Sequence, residues 1–589
     1  MFNAIHVTHE AIYKVGGIGT VLEGLINSRP YRDGVGRTVL VCPLFYPENT
    51  ERFGPGGVVE YSSLDQVYDG PYAAALRPIE REWGVRIAYG RRPLEDEPSG
   101  RRTVCEVLLV DLRGIHLHRV NELKGRLWHD YEIPSDRYEH IWEYEQYVQL
   151  AGPAVAALEA MHFGTEAAPA AVFAHEFMGV PTALALQSYC PSRYRTLFYA
   201  HEVAPVRRLV ESRPGHDVMF YNALRAAREE GLYLDQVFGP QHDYHKHAVV
   251  QAAHRCDSLL AVGHHVQDEL LFLGPDFEGA DITLCYNGVS VGTDTFAERQ
   301  ASRQRVRDYC ETLLGWRPDF IFTHVTRLAR SKAMWRDIDV LLALDRHLFE
   351  RRQTAAMIVL STELPRRPVA DILRMEKEWD WPLAHREGPP DLTGGESLYY
   401  QRVQAFNARA RHIKLVYLNQ FGFDRARAGL RVPEALEFLD LRRASDVEFG
   451  LSLYEPFGIS PLEPLTYGGI CLVSTSCGCA GFVKQASGNR RAPNVILANY
   501  IDGVRRPRTV KDSLTIGTAE RREVEWRLAH HLAEQILQRL PQDDAGAERL
   551  IDSGHELARR MSWDVVAERF VFPALRRAFA RRRALTAVA

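Results

Sequence analysis

Apolar, β-rich runs alternate with amphipathic helical patterns along the first half of the chain. The first run, at 3–8, precedes a glycine-rich loop and a helical pattern with Val21, Leu22, Leu25 and Ile26 on one face. A strand, a glycine loop and a helix in this order are typical of the start of an α/β nucleotide-binding domain. Further strands are predicted at 37–43, 104–111, 170–175, 195–200, 257–262 and 282–286, with helices around 138–161 and 245–255. This alternation predicts a mostly parallel sheet with helices on both faces.

A second series with the same alternation begins after Asn287-Gly288. It opens with a helical pattern near 297–314. Its predicted strands lie at 319–325, 355–360, 412–417, 446–452, 470–475 and 494–498. The segment 376–411 is charged and rich in Trp, Pro and Gly, so we interpret it as an insertion outside the sheet.

Two Rossmann-like domains in tandem are therefore predicted. The N-terminal domain covers 1–290 and the C-terminal domain covers 291–562. An amphipathic helix at about 563–589 is expected to pack back on the first domain. Parallel sheets of two such domains, facing an interdomain cleft, are the layout of the GT-B glycosyltransferases, although a fold alone does not define a function.

Composition excludes several classes of protein. The chain has 589 residues, too many for one core, and its 72 basic and 76 acidic residues leave a net charge of −4. This balance argues against nucleic acid as a main partner. The nine cysteines are scattered, and Cys477 and Cys479 form only a C-x-C pair, so we expect a reducing cytoplasm rather than disulfides or zinc. We predict neither a signal peptide nor a membrane span, because no apolar run reaches about 20 residues.

The segment Tyr454–Glu463, with the sequence YEPFGISPLE, carries the strongest local signal. Ser460 suits the N-cap of a helix, Pro461 suits its first position and Glu463 stands at N3, which together predict a capping box. A helix N-terminus favours phosphate binding. Glu455, just before the turn, is therefore predicted to lie beside a bound phosphate, as in a sugar-nucleotide site.

Two cations follow the predicted strand at 319–325. Arg327 and Lys332 stand at its carboxyl end, where they are suited to neutralise a pyrophosphate leaving group. Arg330 is a competing cation in the same loop. The alternative interpretation is a charged surface loop without a ligand.

A glycine loop and two histidines complete the candidates from the residues alone. Gly16 and Gly17 allow close approach of a ligand to the backbone beside Lys14, although a tight turn with a solvated lysine explains them equally well. The pairs His175-Glu176 and His201-Glu202 each end an apolar run, and strand ends point into the ligand site of such domains. No H-E-x-x-H motif supports zinc at these histidines.

Together these segments resemble the glycogen synthases, which are retaining GT-B glucosyltransferases, and the animal and fungal type more than the bacterial starch-synthase type. The similar segments are HEAIYKVGGIGTVL at 9–22, AHEFMG at 174–179, FYN at 220–222, HKH at 245–247, YNGV at 286–289 and the E-x7-E signature at 455–463. They cover most of the chain in the order of the family.

The resemblance implies a role for each matching residue. Glu455 lies at the donor glucose, Glu463 lies near the nucleotide ribose, and Arg327 and Lys332 hold the diphosphate. His201 supports the reacting sugar. The glycine loop contacts phosphate and glucose, and the further donor- and substrate-binding residues are Lys14, Gly16, Gly17, Glu176, Tyr454, Phe457, Gly458, Ile459 and Ser460. The family needs no metal and no covalent cofactor.

The expected reaction transfers glucose from a nucleoside diphosphate glucose to the non-reducing end of an α-1,4-glucan with retention. The base of the donor nucleotide stays open, with UDP-glucose favoured over ADP-glucose, because the chain mixes features of two types of enzyme. Arg327 and Lys332 have the R-x4-K spacing of bacterial enzymes, and Phe457 replaces the usual tryptophan. The segment 376–411 falls where animal-type enzymes carry an assembly segment, which favours a homo-oligomer. The alternatives are a sucrose- or trehalose-forming enzyme and a silent glucan-binding or regulatory paralogue; the intact glutamates and cations argue against the silent paralogue.

Overall fold

The structure, a computed structural model, describes residues 1–14, 16–364 and 366–588. Val15 of the glycine loop therefore lies outside the described residues. The chain divides into two compact units, each built from segments that are distant in sequence. Unit 1 comprises Met1–Arg208, Ala227–Ser290 and Ser562–Ala589, and unit 2 comprises Leu209–Ala226 and Val291–Met561.

The described part of unit 1 contains a nine-stranded sheet with the order β3-β4-β5-β2-β1-β6-β7-β8-β9. The strands are β1 (Phe2–Val7), β2 (Val35–Pro43), β3 (Val58–Ser62), β4 (Arg86–Asp96), β5 (Arg101–Asp111), β6 (Ala170–His175), β7 (Tyr194–Ala200), β8 (Ser258–Ala261) and β9 (Ile282–Leu284). β4 pairs antiparallel with β3 and β5, and the other neighbours are parallel. The central strands are buried along their whole length, which explains their continuous apolar runs.

Unit 2 has a six-stranded, all-parallel sheet in its described residues, with the order β12-β11-β10-β13-β14-β15. Its strands are β10 (Phe320–Val325), β11 (Ala355–Leu360), β12 (Ile413–Leu418), β13 (Val447–Gly450), β14 (Ile470–Ser474) and β15 (Val495–Ala498). The strand order reverses between β10 and β13. Ligands of doubly wound sheets bind at this switch point, outside the carboxyl ends of the strands.

Helices connect the strands in both units. Up to residue 273 they are α1 (Ile18–Asn27), α2 (Arg29–Gly34), α3 (Ala73–Trp83), α4 (Leu117–Tyr131), α5 (Trp142–Ala160), α6 (Glu176–Tyr189), α7 (Ala204–Ser212), α8 (His216–Glu230), α9 (Leu234–Phe238), α10 (His245–Ala252) and α11 (His264–Leu273). The later helices are α12 (Phe296–Leu314), α13 (Met334–Arg351), α14 (Val369–Trp379), α15 (Gly394–Arg409), α16 (Arg425–Ala428), α17 (Phe438–Ala444), α18 (Gly478–Ala486), α19 (Val510–Leu514), α20 (Thr518–Arg539), α21 (Asp544–Arg560), α22 (Trp563–Val566) and α23 (Phe572–Val588).

The predicted α/β class is confirmed, and the thirteen predicted strands are all present with ends that differ by at most three residues. The sequence prediction missed β3 and β4. Both lie at the antiparallel edge of the unit 1 sheet, where charged residues and Pro93 interrupt the apolar pattern.

The segment 376–411, which was interpreted as an insertion outside the sheet, contains no strand of the unit 2 sheet. This segment is part of the connection from β11 to β12 and contains the end of α14 and all of α15. Trp381, between the two helices, is fully buried in the core of unit 2 together with Ile372 and Met375. Its indole Nε1 donates to Asn419 Oδ1 at 2.9 Å, so the segment is an integral crossover of the fold.

The segment after Ser562 packs within unit 1. The indole of Trp563 lies against Gly24 and Gly288, where an added Cβ would approach it to 1.9 and 2.6 Å. These two positions therefore admit only glycine, since any side chain would collide with the ring. Arg101 and Asp564 form an ion pair at 2.7 Å beside it. In the part of the chain that the structure describes, no helix is both long and apolar enough to cross a membrane.

Candidate active site

Lys332 and Glu455 form an ion pair at the switch point of the unit 2 sheet. Lys332 ends a 3-10 turn between β10 and α13, and Glu455 lies in the loop that follows β13. The lysine and glutamate side chains are 14% and 19% exposed, so the pair is accessible to solvent. The structure thus brings together two of the residues that the sequence predicted.

The loop after Glu455 is held by its backbone. Gly478 N donates to Glu455 O at 3.1 Å, and Cys479 N donates to Phe457 O at 2.8 Å. Gly458 has φ +88°, and a Cβ there would lie 3.0 Å from Glu455 Cγ. A side chain at this position would be strained and would crowd the carboxylate. Tyr454 and Phe457 are buried below the turn, so their side chains support the turn.

The predicted capping box at Ser460 and Glu463 was wrong. Residues Ser460–Tyr467 form a 3-10 helix whose N-cap is Ile459, without a side-chain cap. Ser460 Oγ instead donates to Val325 O at 2.8 Å, and Glu463 Oε2 pairs with Arg442 Nε at 2.9 Å. The buried Arg442 needs carboxylate partners, and this requirement outweighs the local capping preference.

Arg327 lies in the same loop as Lys332 but makes different contacts. Its side chain is exposed, and no carboxylate of a described residue lies within 4.0 Å of its guanidinium. The loop is anchored at Ser331, whose carbonyl accepts from Leu453 N at 2.7 Å. This bond ties the cation loop to the segment that carries Glu455. The arrangement offers a fixed ammonium and an exposed guanidinium for a diphosphate.

The glycine loop of unit 1 is occupied by a carboxylate of the protein itself. Gly17 is the N-cap of α1, and Gly19 N donates to Glu10 Oε2 at 2.7 Å. A Cβ at Gly16 would lie 3.0 Å from Glu10 Oε1, and Lys14 pairs with Glu23. Glu10 thus satisfies the helix N-terminus, an interaction that the sequence analysis missed.

Three histidines form a hydrogen-bonded chain at the carboxyl ends of β1, β6 and β7. His6 Nδ1 lies 2.9 Å from His175 Nε2, and His175 Nδ1 lies 2.9 Å from His201 Nε2. Tyr31 OH lies 2.9 Å from His6 Nε2 and closes the inner end. The sequence predicted His175 and His201 but missed His6, although a histidine within the apolar strand FNAIHV was a signal for a buried polar contact.

Burial keeps this histidine chain neutral. It lowers the pKa of His6 to about 3 and the pKa of His201 to about 3, and the pKa of His175 is also well below its usual value. A neutral imidazole carries one N–H, so each internal bond has one donor and one acceptor. Fixing the tautomer of one ring therefore fixes the tautomers of the others.

Glu176 occupies a strained position at the junction of β6 and α6. Its φ is +60°, a conformation that is costly for a residue with a side chain. Burial raises the pKa of Glu176 well above its usual value, and the nearby charge of Glu202 raises it further. The carboxyl accepts the backbone N–H of Glu202. This environment therefore favours the uncharged form of the Glu176 carboxyl group.

Within the described residues, no group of three or more His, Cys, Asp or Glu side chains is placed to hold a metal ion. In unit 2, Arg327, Lys332 and Glu455 lie in the loops that follow β10 and β13. In unit 1, His201 lies at the end of the histidine chain.

The fold defined by these two units is GT-B. It is similar to the catalytic domain of starch synthase IV from Arabidopsis thaliana bound to ADP and acarbose, with a TM-score of 0.52 and 14% identity over 98% of this chain and 99% of that chain. This likeness establishes the fold.

Lower scores relate the chain to two other solved structures. A UDP-forming α,α-trehalose-phosphate synthase from Burkholderia vietnamiensis has a TM-score of 0.48 and 13% identity, covering 100% of this chain and 99% of that chain. A sucrose-phosphate synthase from Thermosynechococcus elongatus has a TM-score of 0.47 and 12% identity over all of both chains. No protein-family model matches the chain, and no curated protein matches it.

Proposed function

We propose that the protein is a retaining glycosyltransferase that transfers glucose from a nucleoside diphosphate glucose to the non-reducing end of an α-1,4-glucan. UDP-glucose is the favoured donor. The observation that carries this proposal is the Lys332–Glu455 ion pair at the switch point of a parallel sheet in a GT-B fold. A ligand with both a sugar and a diphosphate uses a carboxylate and a cation side by side.

Lys332 and the exposed Arg327 bind the diphosphate and stabilise its charge as the bond to the sugar breaks. The bond between glucose C1 and the phosphate oxygen breaks, and a bond from C1 to the acceptor oxygen forms on the same face. The acceptor proton passes to the leaving diphosphate. Glu455 is fixed beside Lys332 and orients the glucose, and Glu463 is proposed to contact the ribose with its exposed edge.

The unit 1 residues act as uncharged hydrogen-bonding groups in this proposal. His201 contacts the reacting sugar, and its tautomer is set by the chain through His175 and His6. A neutral ring suits a hydroxyl partner because it donates or accepts without attracting the diphosphate. For the glycine loop and Lys14, a role in donor binding rests on the resemblance alone, because Glu10 bonds to Gly19 N and Glu23 pairs with Lys14 in the structure.

The test measures nucleoside diphosphate release with UDP-glucose or ADP-glucose, in the presence of glycogen. We expect Glu455→Ala and Lys332→Ala each to lower kcat by roughly 10²–10³-fold, because each removes an interaction with the sugar or the developing diphosphate. The matched control is Glu350→Ala, an exposed glutamate at the end of α13. Near-normal turnover of Glu455→Ala would disprove the site assignment.

The acceptor is tested in the same assay. Glycogen, fructose 6-phosphate and glucose 6-phosphate are compared as acceptors, and the products are analysed for chain elongation. The proposal requires elongation of the glucan, and product formation only with a sugar phosphate would assign a small-acceptor enzyme instead.

A further inference from the structure

Three aromatic side chains are exposed together at the surface of unit 1. Tyr13, Phe45 and Tyr46 are 37%, 38% and 52% exposed, and all three line the same small cavity. Tyr13 lies in the loop after β1, and the other two lie in the loop after β2. Large aromatic rings are mostly buried in folded proteins, so three exposed rings at one place indicate a binding surface. We call these three residues the aromatic surface.

Two of the rings hold each other in a fixed arrangement. The ring centres of Tyr13 and Tyr46 are 5.2 Å apart, and the ring planes are nearly perpendicular, with an angle of 89°. Asn49 Nδ2 donates to the Tyr13 hydroxyl, and Asn49 N donates to Tyr46 O at 3.1 Å. Edge-to-face pairs of this kind are favourable. The rings are therefore ordered before a ligand binds, so less conformational entropy is lost on binding.

Two arginines anchor the loops that carry the rings. The buried Arg52 donates from Nη1 to Asn49 O at 3.1 Å, which holds the loop after β2. Arg92 donates from Nη1 to Ile12 O at 2.9 Å, which holds the loop after β1. Both loops are thus fixed to the body of unit 1, so the aromatic surface is a defined feature of the fold.

The cations beside the aromatic surface are compensated within the protein. Lys14, next to Tyr13 in sequence, pairs with Glu23 at 2.5 Å. Arg52 lines the same cavity as the rings, and its Nη2 binds Asp65 Oδ1 at 2.8 Å. Because these cations already have carboxylate partners, they do not favour an anion at the rings. The aromatic surface instead suits an uncharged ligand with apolar faces and hydroxyl groups, since a tyrosine presents both a ring and a hydroxyl.

The aromatic surface lies at the edge of the sheet that carries the histidine chain. In the strand order, β1 stands between β2 and β6, and β7 follows β6 with all these neighbours parallel. The carboxyl ends of β1, β2 and β7 therefore share one edge. His9 lines the same cavity as the rings, and it also lies close enough to His201 to lower the pKa of that histidine, after the larger effect of burial. The rings thus stand near the histidine that the proposed function places at the reacting sugar.

We propose that the aromatic surface binds a neutral oligosaccharide and holds the acceptor chain behind its reacting end. A hexose has C–H groups on its faces and hydroxyl groups around its rim, which match the rings and hydroxyls of Tyr13 and Tyr46. Rings from two loops contact sugars beyond the first one, so the surface favours a chain over a single sugar or a sugar phosphate. Binding of the oligosaccharide rests on the aromatic surface itself, whereas the role of that oligosaccharide as acceptor rests on the proposed function.

The test is calorimetric titration of the full chain with maltoheptaose, with glucose and UDP as comparison ligands. The wild-type chain is expected to bind maltoheptaose more tightly than glucose. Tyr13→Ala and Tyr46→Ala are each expected to bind maltoheptaose roughly 10-fold more weakly, because each loses one ring, whereas UDP binding does not change. Tyr46→Phe keeps the ring and is expected to keep most of the affinity. The matched control is Tyr189→Ala, which binds normally, because Tyr189 is 39% exposed at the end of α6, at the opposite edge of the sheet.

Steady-state kinetics with glycogen separates the aromatic surface from the donor site. In Tyr13→Ala and Tyr46→Ala, the KM for the glucan is expected to rise roughly 10-fold, while the KM for UDP-glucose does not change. Absence of maltoheptaose binding by the wild-type chain would overturn the proposal. Unchanged maltoheptaose binding in both variants, or weaker binding of UDP instead, would also overturn it and leave the proposed function standing. A wild-type chain that elongates no glucan would refute the proposed function, and the titration alone would then decide whether the aromatic surface binds an oligosaccharide.

Discussion

A histidine chain in unit 1 and an arginine network in unit 2 bury polar side chains in opposite ways. In unit 1, the chain of His6, His175 and His201 is buried with no carboxylate of the described residues bonded to it, and its rings are neutral. In unit 2, Arg336 is fully buried as a cation between Asp217 and Glu525. One unit removes the charge and the other compensates it. The histidine chain is held by hydrogen bonds between uncharged groups, whereas the buried guanidinium is held by carboxylates.

The compensated network of unit 2, formed by Arg336, Asp217 and Glu525, is held by several contacts. Arg336 Nη2 lies 2.7 Å from Asp217 Oδ1, and Arg336 Nε lies 2.9 Å from Glu525 Oε1. The guanidinium also lies 3.7 Å from the ring centre of Tyr500. Arg336, Asp217 and Glu525 belong to α13, α8 and α20, so one buried cation links three helices of unit 2.

The largest expected effect comes from breaking the compensated network. Arg336→Met keeps the volume but leaves Asp217 buried without its cation, which is expected to lower the free energy of unfolding by about 3–5 kcal/mol. Chemical denaturation measures this change. Arg346→Met, on the exposed face of α13, is the control and is expected to change stability by less than about 0.5 kcal/mol.

A second variant tests the cause of that loss. Adding Asp217→Asn to Arg336→Met removes the orphaned charge and is expected to recover part of the stability. If the double variant is as unstable as Arg336→Met alone, the loss of stability comes from packing and not from the unpaired charge of Asp217. That result would contradict the contrast between the neutral and the charge-compensated site.

The next effect concerns the pH dependence of unit 1. A histidine with a pKa of about 3 in the folded protein and 6.5 as its ordinary value binds its proton more readily in the unfolded chain. Stability therefore falls as the pH is lowered from 6.5 towards 3, by up to about 1.4 kcal/mol per pH unit for each such residue. His6→Phe is expected to remove the contribution of one histidine to this change of stability with pH. Chemical unfolding at several pH values measures the change.

The control for this slope is a packing variant at a neighbouring position. Phe173 stacks on the His6 ring with centres 4.6 Å apart. Phe173→Leu is expected to lower stability at every pH and to leave the slope unchanged. An unaltered slope in His6→Phe would show that His6 titrates alike in the folded and unfolded chains.

The smallest expected loss of stability concerns the partly exposed ion pair between Glu463 and Arg442 in unit 2. The Glu463 side chain is 40% exposed, and its partner Arg442 also binds Glu448 at 2.9 Å. Glu463→Gln is therefore expected to cost less than about 1 kcal/mol of unfolding free energy. Ser460→Ala removes the hydrogen bond to Val325 O and serves as a comparison, with an expected loss of about 1 kcal/mol of unfolding free energy. A loss above 2 kcal/mol in Glu463→Gln would show that this pair behaves as a buried one.

The sequence predicted the parallel strands well because burial on both faces makes them continuous apolar runs. The strand at 170–175, for example, is buried at every residue and was predicted without error. β4 was missed because its outer residues Arg91 and Arg92 give it the appearance of a loop. β4 is paired with β3 and β5, but its partly exposed residues give it a weaker apolar pattern than the buried central strands have.

The candidate site was predictable only where a motif is local. Glu455 and Lys332 stand in recognisable segments, although their contact with each other depends on the sheet order. The capping box failed at Ser460 because Val325 O, 135 residues away in sequence, is its hydrogen-bond partner. His6 was missed because its apolar strand signals a buried polar contact but does not identify the partner, His175, which is 169 residues away. Tertiary contacts override local preference at these positions.

The position of Trp563 affects the order in which the two units can fold during synthesis. Its ring fills the space beside Gly24 and Gly288, so unit 1 lacks part of its interior until residue 563 has left the ribosome. Unit 2 ends at Met561 and is fully synthesised first. During synthesis, the space beside Gly24 therefore stays unfilled until Trp563, more than 500 residues later in the chain, has been made. Unit 1 is therefore completed only after all of unit 2 has been synthesised.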